Sequence, residues 1–126
     1  MVAAANTNMN PDAQALCNIA GVPSLALSGF EYETVAAGQT AQVIGGTGAT
    51  GDYIAGILIV PAVVAAGAVT LIDNATSIVI YVGGATTALQ TVAPFYVPLG
   101  IKSVSGAWKI TTGANVSVIA MGNFTA

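Results

Sequence analysis

The sequence predicts an all-β fold: a β-sandwich or jelly roll of about eight strands carrying an N-terminal arm. Three features lead there. From residue 25 onward the apolar pattern has period two, turn signals rich in glycine, proline, asparagine and aspartate recur at short spacing, and no stretch has the period of an amphipathic helix. Short strands closely punctuated by turns suit two packed antiparallel sheets. At 126 residues the chain makes one such domain, read as an arm over residues 1–22 and a sandwich over residues 23–126.

In the arm, Asn6, Asn8, Asn10, Pro11, Asp12 and Gln14 interrupt a run of alanines without strand alternation. A short helical turn over residues 12–19 fits, capped by Asn10 with Pro11 at its first position. Two readings stand side by side here: a frayed end, or an ordered arm whose six polar residues grip a partner. The segment lacks a basic leading region and a sustained apolar core, so it makes a poor signal peptide. Leu16 sits directly before Cys17, which is not lipoprotein spacing.

Alternation begins clearly at Phe30, Tyr32 and Thr34 on one face, with Glu31, Glu33 and Val35 on the other. Residues 39–44 make a second short strand, and Gly45-Gly46-Thr47-Gly48-Ala49-Thr50-Gly51 a loop. Residues 68–82 read as a hairpin turning at Asp73-Asn74-Ala75-Thr76. Residues 91–99 are extended but hold Pro94 and Pro98, marking an edge or a bulge. Three more strands are expected over residues 101–104, 107–111 and 115–121.

Residues 53–72 (YIAGILIVPAVVAAGAVTLI) carry no charge and admit three readings. As one helix they would span about 30 Å, a bilayer thickness. No Lys or Arg flanks the run to orient a span, Asp52 and Asp73 bound it symmetrically, and strands follow it. The preceding Gly46-Thr47-Gly48-Ala49-Thr50-Gly51 spells GxGxxG and suggests a dinucleotide site, but that motif needs a helix next. Residues 53–60 are instead β-branched and apolar throughout. As two strands joined at Pro61 to Gly67 the stretch makes a buried hairpin, two central strands of a β-core. Burial is expected on both faces for Ile57, Leu58, Ile59 and Val60, worth roughly 1.5–3 kcal/mol per large side chain. Leu71, Ile78, Ile80, Trp108, Ile110, Val116 and Val118 complete the expected core.

Composition narrows the function. The chain is 55% hydrophobic and only 6% charged, against about a quarter charged in ordinary soluble proteins. Such a balance belongs to a membrane protein, a polar secreted β-domain, or a subunit covered by its neighbours. Two lysines and no arginine make no phosphate-binding patch, so nucleic acid is not an expected partner, and the flanks of residues 53–72 leave a membrane unexpected as well. No histidine is present, which removes an imidazole base and histidine metal ligands. A single cysteine allows no intrachain disulfide.

The remaining chemistry is thin. Glu31 and Glu33 stand roughly 7 Å apart on one strand face and could act as paired acids, but a solvated face explains them better. Asp52 and Asp73 could offer oxygens to calcium, yet turn or cap duty fits their loop positions. Ser103 and Ser105 near Lys102 read as hairpin surface, and Trp108 as core or subunit interface. Asn74, Asn115 and Asn123 begin glycosylation sequons that matter only in a eukaryotic secretory pathway. No enzyme and no cofactor are expected.

Gly51-Asp52-Tyr53, Ile59-Val60-Pro61, Gly67-Ala68-Val69-Thr70-Leu71, Gly83-Gly84 and the closing Ser105-Gly106-Ala107-Trp108-Lys109-Ile110-Thr111-Thr112-Gly113-Ala114-Asn115-Val116 resemble small virion proteins of tailed bacteriophages. The resemblance runs from Gly51 to Thr125 as a texture of short motifs and does not reach the arm. It implies a capsid decoration (cement) protein on the virion surface, commonly a homotrimer, bound to the major capsid protein. A head fibre or a tail accessory, receptor-facing protein is the other role it implies.

Overall fold

A computed structural model of the chain describes residues 30–84 and 93–126. The expected arm, with Asn6, Asn8, Asn10, Pro11, Asp12 and Gln14, lies outside the described residues. So do residues 23–29 of the expected sandwich and the 85–92 connection.

Eight strands fill the described chain: β1 (Glu31–Val35), β2 (Gln42–Val43), β3 (Tyr53–Pro61), β4 (Val69–Asp73), β5 (Thr76–Tyr81), β6 (Phe95–Lys102), β7 (Trp108–Thr112) and β8 (Val116–Asn123). They form two antiparallel four-stranded sheets, β1-β8-β3-β6 and β2-β7-β4-β5. Strand β1 pairs with β8, β2 with β7, β3 with β6 and β4 with β5. That nesting is one long hairpin rolled up on itself, and the β3–β8 and β4–β7 ladders then join the pairs into two sheets. The result is an eight-stranded jelly roll.

The uncharged stretch 53–72 therefore becomes β3 and β4, two inner strands of opposite sheets, joined by a crossover rather than a hairpin. Its backbone is tied across the layers: Ala62 N–H donates to Asn115 O at 2.9 Å and Gly67 N–H to Ala114 O at 2.9 Å. Gly67 is required there, because a Cβ on it would come within 2.8 Å of the Gly113 Cα. No helix among the described residues is long and apolar enough to cross a membrane.

Between the sheets lies one core. Its largest fully buried side chains include Trp108, Ile44, Ile54, Ile57, Ile59, Leu71, Ile110, Val116 and Val118. Trp108 keeps its indole N–H satisfied by donating to Asp52 O at 2.9 Å, as a buried polar group must. The order of the four β-branched and Leu residues in β3 corrects the expectation of burial on both faces. Ile57 and Ile59 point inward and are fully buried, whereas Leu58 and Val60 point outward and are half-buried. In a two-layer sandwich each strand has only one face against the other sheet.

Strand β5 brings a second correction. Ile78, expected in the core, is 37% exposed because β5 is an edge strand, and Ile80 packs only on the margin of the core. A third concerns residues 91–104: the two expected strands are one, β6, which runs through Gly100 at φ +68° opposite an irregularity in β3 between Ile54 and Gly56. The expected 73–76 turn does join β4 to β5, with Asn74 taking the left-handed conformation at φ 57°.

These burial differences set the stability ranking. Ile57→Ala should cost about 2–5 kcal/mol and Ile57→Asp should abolish folding, whereas Val79→Ala, on an exposed edge position, should stay within about 0.5 kcal/mol. Urea unfolding followed by tryptophan fluorescence checks the order; equal losses at positions 57 and 79 would contradict the assigned faces.

Candidate interaction surface

All four described carboxylates are engaged by the backbone. Asp73 is buried and accepts from three successive amides of the turn after β6: Val104 N–H at 2.8 Å, Ser105 N–H at 3.1 Å and Gly106 N–H at 3.0 Å. The Val104 amide foremost holds its carboxyl below the ordinary aspartate value, with burial opposing and the other two amides adding to the effect. Asp52 accepts from Ala49 N–H at 3.0 Å, Thr125 N–H at 3.0 Å and the Thr125 hydroxyl at 2.7 Å. Burial pushes this carboxyl up, but the Thr125 and Ala49 hydrogen bonds outweigh it and the net shift is downward.

Glu31 and Glu33 lie on the same face of β1 as buried Val35; Glu33 reaches the loop that follows β2 and Glu31 the strip that follows β8. Glu33 Oε1 accepts from Gly45 N–H, and Glu31 Oε2 from Phe124 N–H at 3.4 Å. Glu31 stays exposed, as a solvated face requires, and Glu33 is half-buried on the side of Val35. Tyr32, on the opposite face, is 72% exposed. Turn duty for Asp52 and Asp73 is what the structure shows, and among the described residues no group of three or more acids and cysteines could hold a metal ion.

The glycine-rich loop has a similar structural occupation. It leads from β2 into strand β3, not into a helix. Its amides turn to the chain's own residues: Thr47 N–H and Gly48 N–H both donate to Thr125 O, at 3.3 and 3.0 Å, and the Thr47 hydroxyl donates to Ala126 O at 3.1 Å. A pyrophosphate would have to displace that strip. Ser103 is equally tied, its hydroxyl accepting from Gly51 N–H at 2.9 Å and donating to Ala49 O at 3.2 Å.

What is left over is a surface. Residues directly opposite in antiparallel ladders share a face, and the register aligns Thr34, Ile119, Leu58 and Tyr96 across the outside of the first sheet. The next row is Tyr32, Met121, Gly56 and Pro98. Tyr96, 47% exposed, lays its ring over Gly56, where a Cβ would collide with it. Beside these rows a shallow groove of about 560 Å³ runs between Thr34, Ala36, Val60, Ser117 and Ile119. At the far end the rings of Phe30 and Tyr53 meet at 5.6 Å. No carboxylate faces outward here, and Lys102, opposite Tyr53, stands at the corner.

Sequence reasoning placed Leu58 and Val60 correctly in the central strand but in the wrong environment, and it did not single out Tyr96, Ile119 or Met121. The available signal was the alternate positions of strands already recognised. No protein-family model, curated protein or solved structure matches the chain.

Both aspartates titrate lower in the fold than in the unfolded chain. Their hydrogen bonds therefore stabilise the protein fully above about pH 4 and are lost as pH falls through the folded-state values. Melting temperature should be flat from pH 5 to 7 and fall below about pH 4, and the Asp52→Asn, Asp73→Asn double variant should melt lower but with a shallower acid slope. An unchanged slope would remove these two groups from acid unfolding. Asp73→Ala alone should cost about 1.5–3 kcal/mol by chemical denaturation.

Proposed function

We propose that the chain is a non-enzymatic structural subunit of a tailed-phage virion, a capsid decoration protein that binds the major capsid protein lattice at the particle surface. The observation that carries this reading is the uncharged apolar face on the outside of the first sheet. Contiguous exposed apolar surface of that kind marks a contact with another macromolecule. A sheet-sized patch contributes through area, at about 25 cal/mol per Å² of apolar surface removed from water, and needs no charge steering.

Three further points support the reading. Jelly rolls recur in viral capsid domains, an analogy of fold and not of site. The described acids and the glycine loop serve the fold's own hydrogen bonds. The residues resembling phage virion proteins fall in β3, β4 and β7 and in the connections around them, with Gly83-Gly84 just after β5. Residues 1–22, with Asn6, Asn8, Asn10, Pro11, Asp12 and Gln14, supply a second contact, and the subunit assembles with copies of itself on the lattice.

The test is co-sedimentation with particles that lack the protein. A Tyr32→Lys, Leu58→Gln variant should bind at least about tenfold more weakly than the parent, as loss of two central contacts does. Val104→Lys, at an exposed turn position away from that face, should bind normally. Deleting residues 1–20 should also weaken binding while the sandwich stays folded. Parental affinity in the double variant would reject the face as the contact.

A further inference from the structure

Among the described residues each sheet ends in two edge strands, and an edge offers unpaired backbone donors and acceptors to any strand that can reach them. Three of the four described edges are blunted. Strand β6 carries Pro98 and ends at Lys102; β1 carries Glu31 and Glu33; β2 has only two residues, Gln42–Val43. Strand β5 has none of these devices. Its sequence TSIVIY holds no charge and no proline, its ladder to β4 is regular from Thr76 to Val79, and Ile78 and Val79 are 37% and 59% exposed.

We infer that β5 is a self-association edge, pairing antiparallel with β5 of a second copy about a two-fold axis. A second copy is the occupant because, among the described residues, the only unblunted edge is β5 itself, and an isologous contact brings that same strand to the same strand. Like charges, the usual obstacle to self-pairing, are absent from both sides. Pairing joins two second sheets into one eight-stranded sheet and covers the exposed flank of Ile78. The irregularity between Val69 and Thr70, which leaves Ile80 without a partner in β4, ends the flat part of the edge. The contact therefore centres on residues 76–79. It is separate from the outer face of the first sheet and does not depend on the particle partner.

Analytical ultracentrifugation of the full chain, without particles, tests this. The parent should show a concentration-dependent dimer. A Ser77→Lys, Val79→Lys variant should shift the dissociation constant upward by about tenfold or more, since like charges directly opposite destabilise strand pairs. Two alternate lysines on one face oppose each other in every register centred on residues 77–79. Circular dichroism should show the variant folded. If it is not, concentration-dependent amide exchange in the parent gives the second readout, with protection rising at residues 76–79 as the dimer fills. A monomer at all concentrations, a trimer with no dimer, or a dimer indifferent to the two lysines would overturn the inference.

Discussion

A strand can bury only one face when two sheets make the whole domain, and this chain has more apolar strand positions than one interior can hold. The constraint decides most of what the structure shows. Ile57 and Ile59 take the inside of β3, so Leu58 and Val60 must take the outside. The same parity sends Val118 and Ala120 of β8 inward and Ile119 and Met121 outward. Because β3 and β8 are adjacent inner strands, their surplus side chains fall side by side. The outer apolar face follows from the ladder register and from the absence of a third layer among the described residues.

The charge-poor composition works in the same direction. Each described carboxylate accepts a backbone N–H, and Asp73 alone organises three consecutive amides of one turn. Ionised acceptors bound to amides are stronger than neutral hydrogen bonds, so these few acids close the loops at the ends of the roll. The glycine-rich loop is held by Thr125 and Ala126 in the same way. The described acids and the glycine-rich loop thus serve the fold's own hydrogen bonds, while among the described residues nothing covers the apolar face or the β5 edge.

Much of the fold was legible because period two is a local signal. The 68–82 hairpin and the closing strands were readable from alternation and turn residues, and the strand of residues 53–60 from its β-branched run ended by Pro61. Sheet membership was not: nothing local in Pro61 to Gly67 says that the chain crosses to the other sheet instead of folding back. The partners of β1 were hidden for a different reason. Glu31 and Glu33 look solvent-seeking in sequence, and they do keep solvent contact; what the sequence hides is that the Gly45 and Phe124 amides, distant in the chain, come within their reach. Leu58, Val60 and Ile78 were misplaced because hydrophobicity marks a residue as fit for burial without saying whether a layer exists to bury it.

The proposed function puts the outer face of the β1-β8-β3-β6 sheet against a particle. Cryo-electron microscopy of particles with and without the protein tests it most directly. The account predicts added density at lattice positions, with Tyr32, Leu58 and Ile119 turned against the coat. Density that presents this face to solvent, or a protein that stays in an unassociated pool, would contradict it.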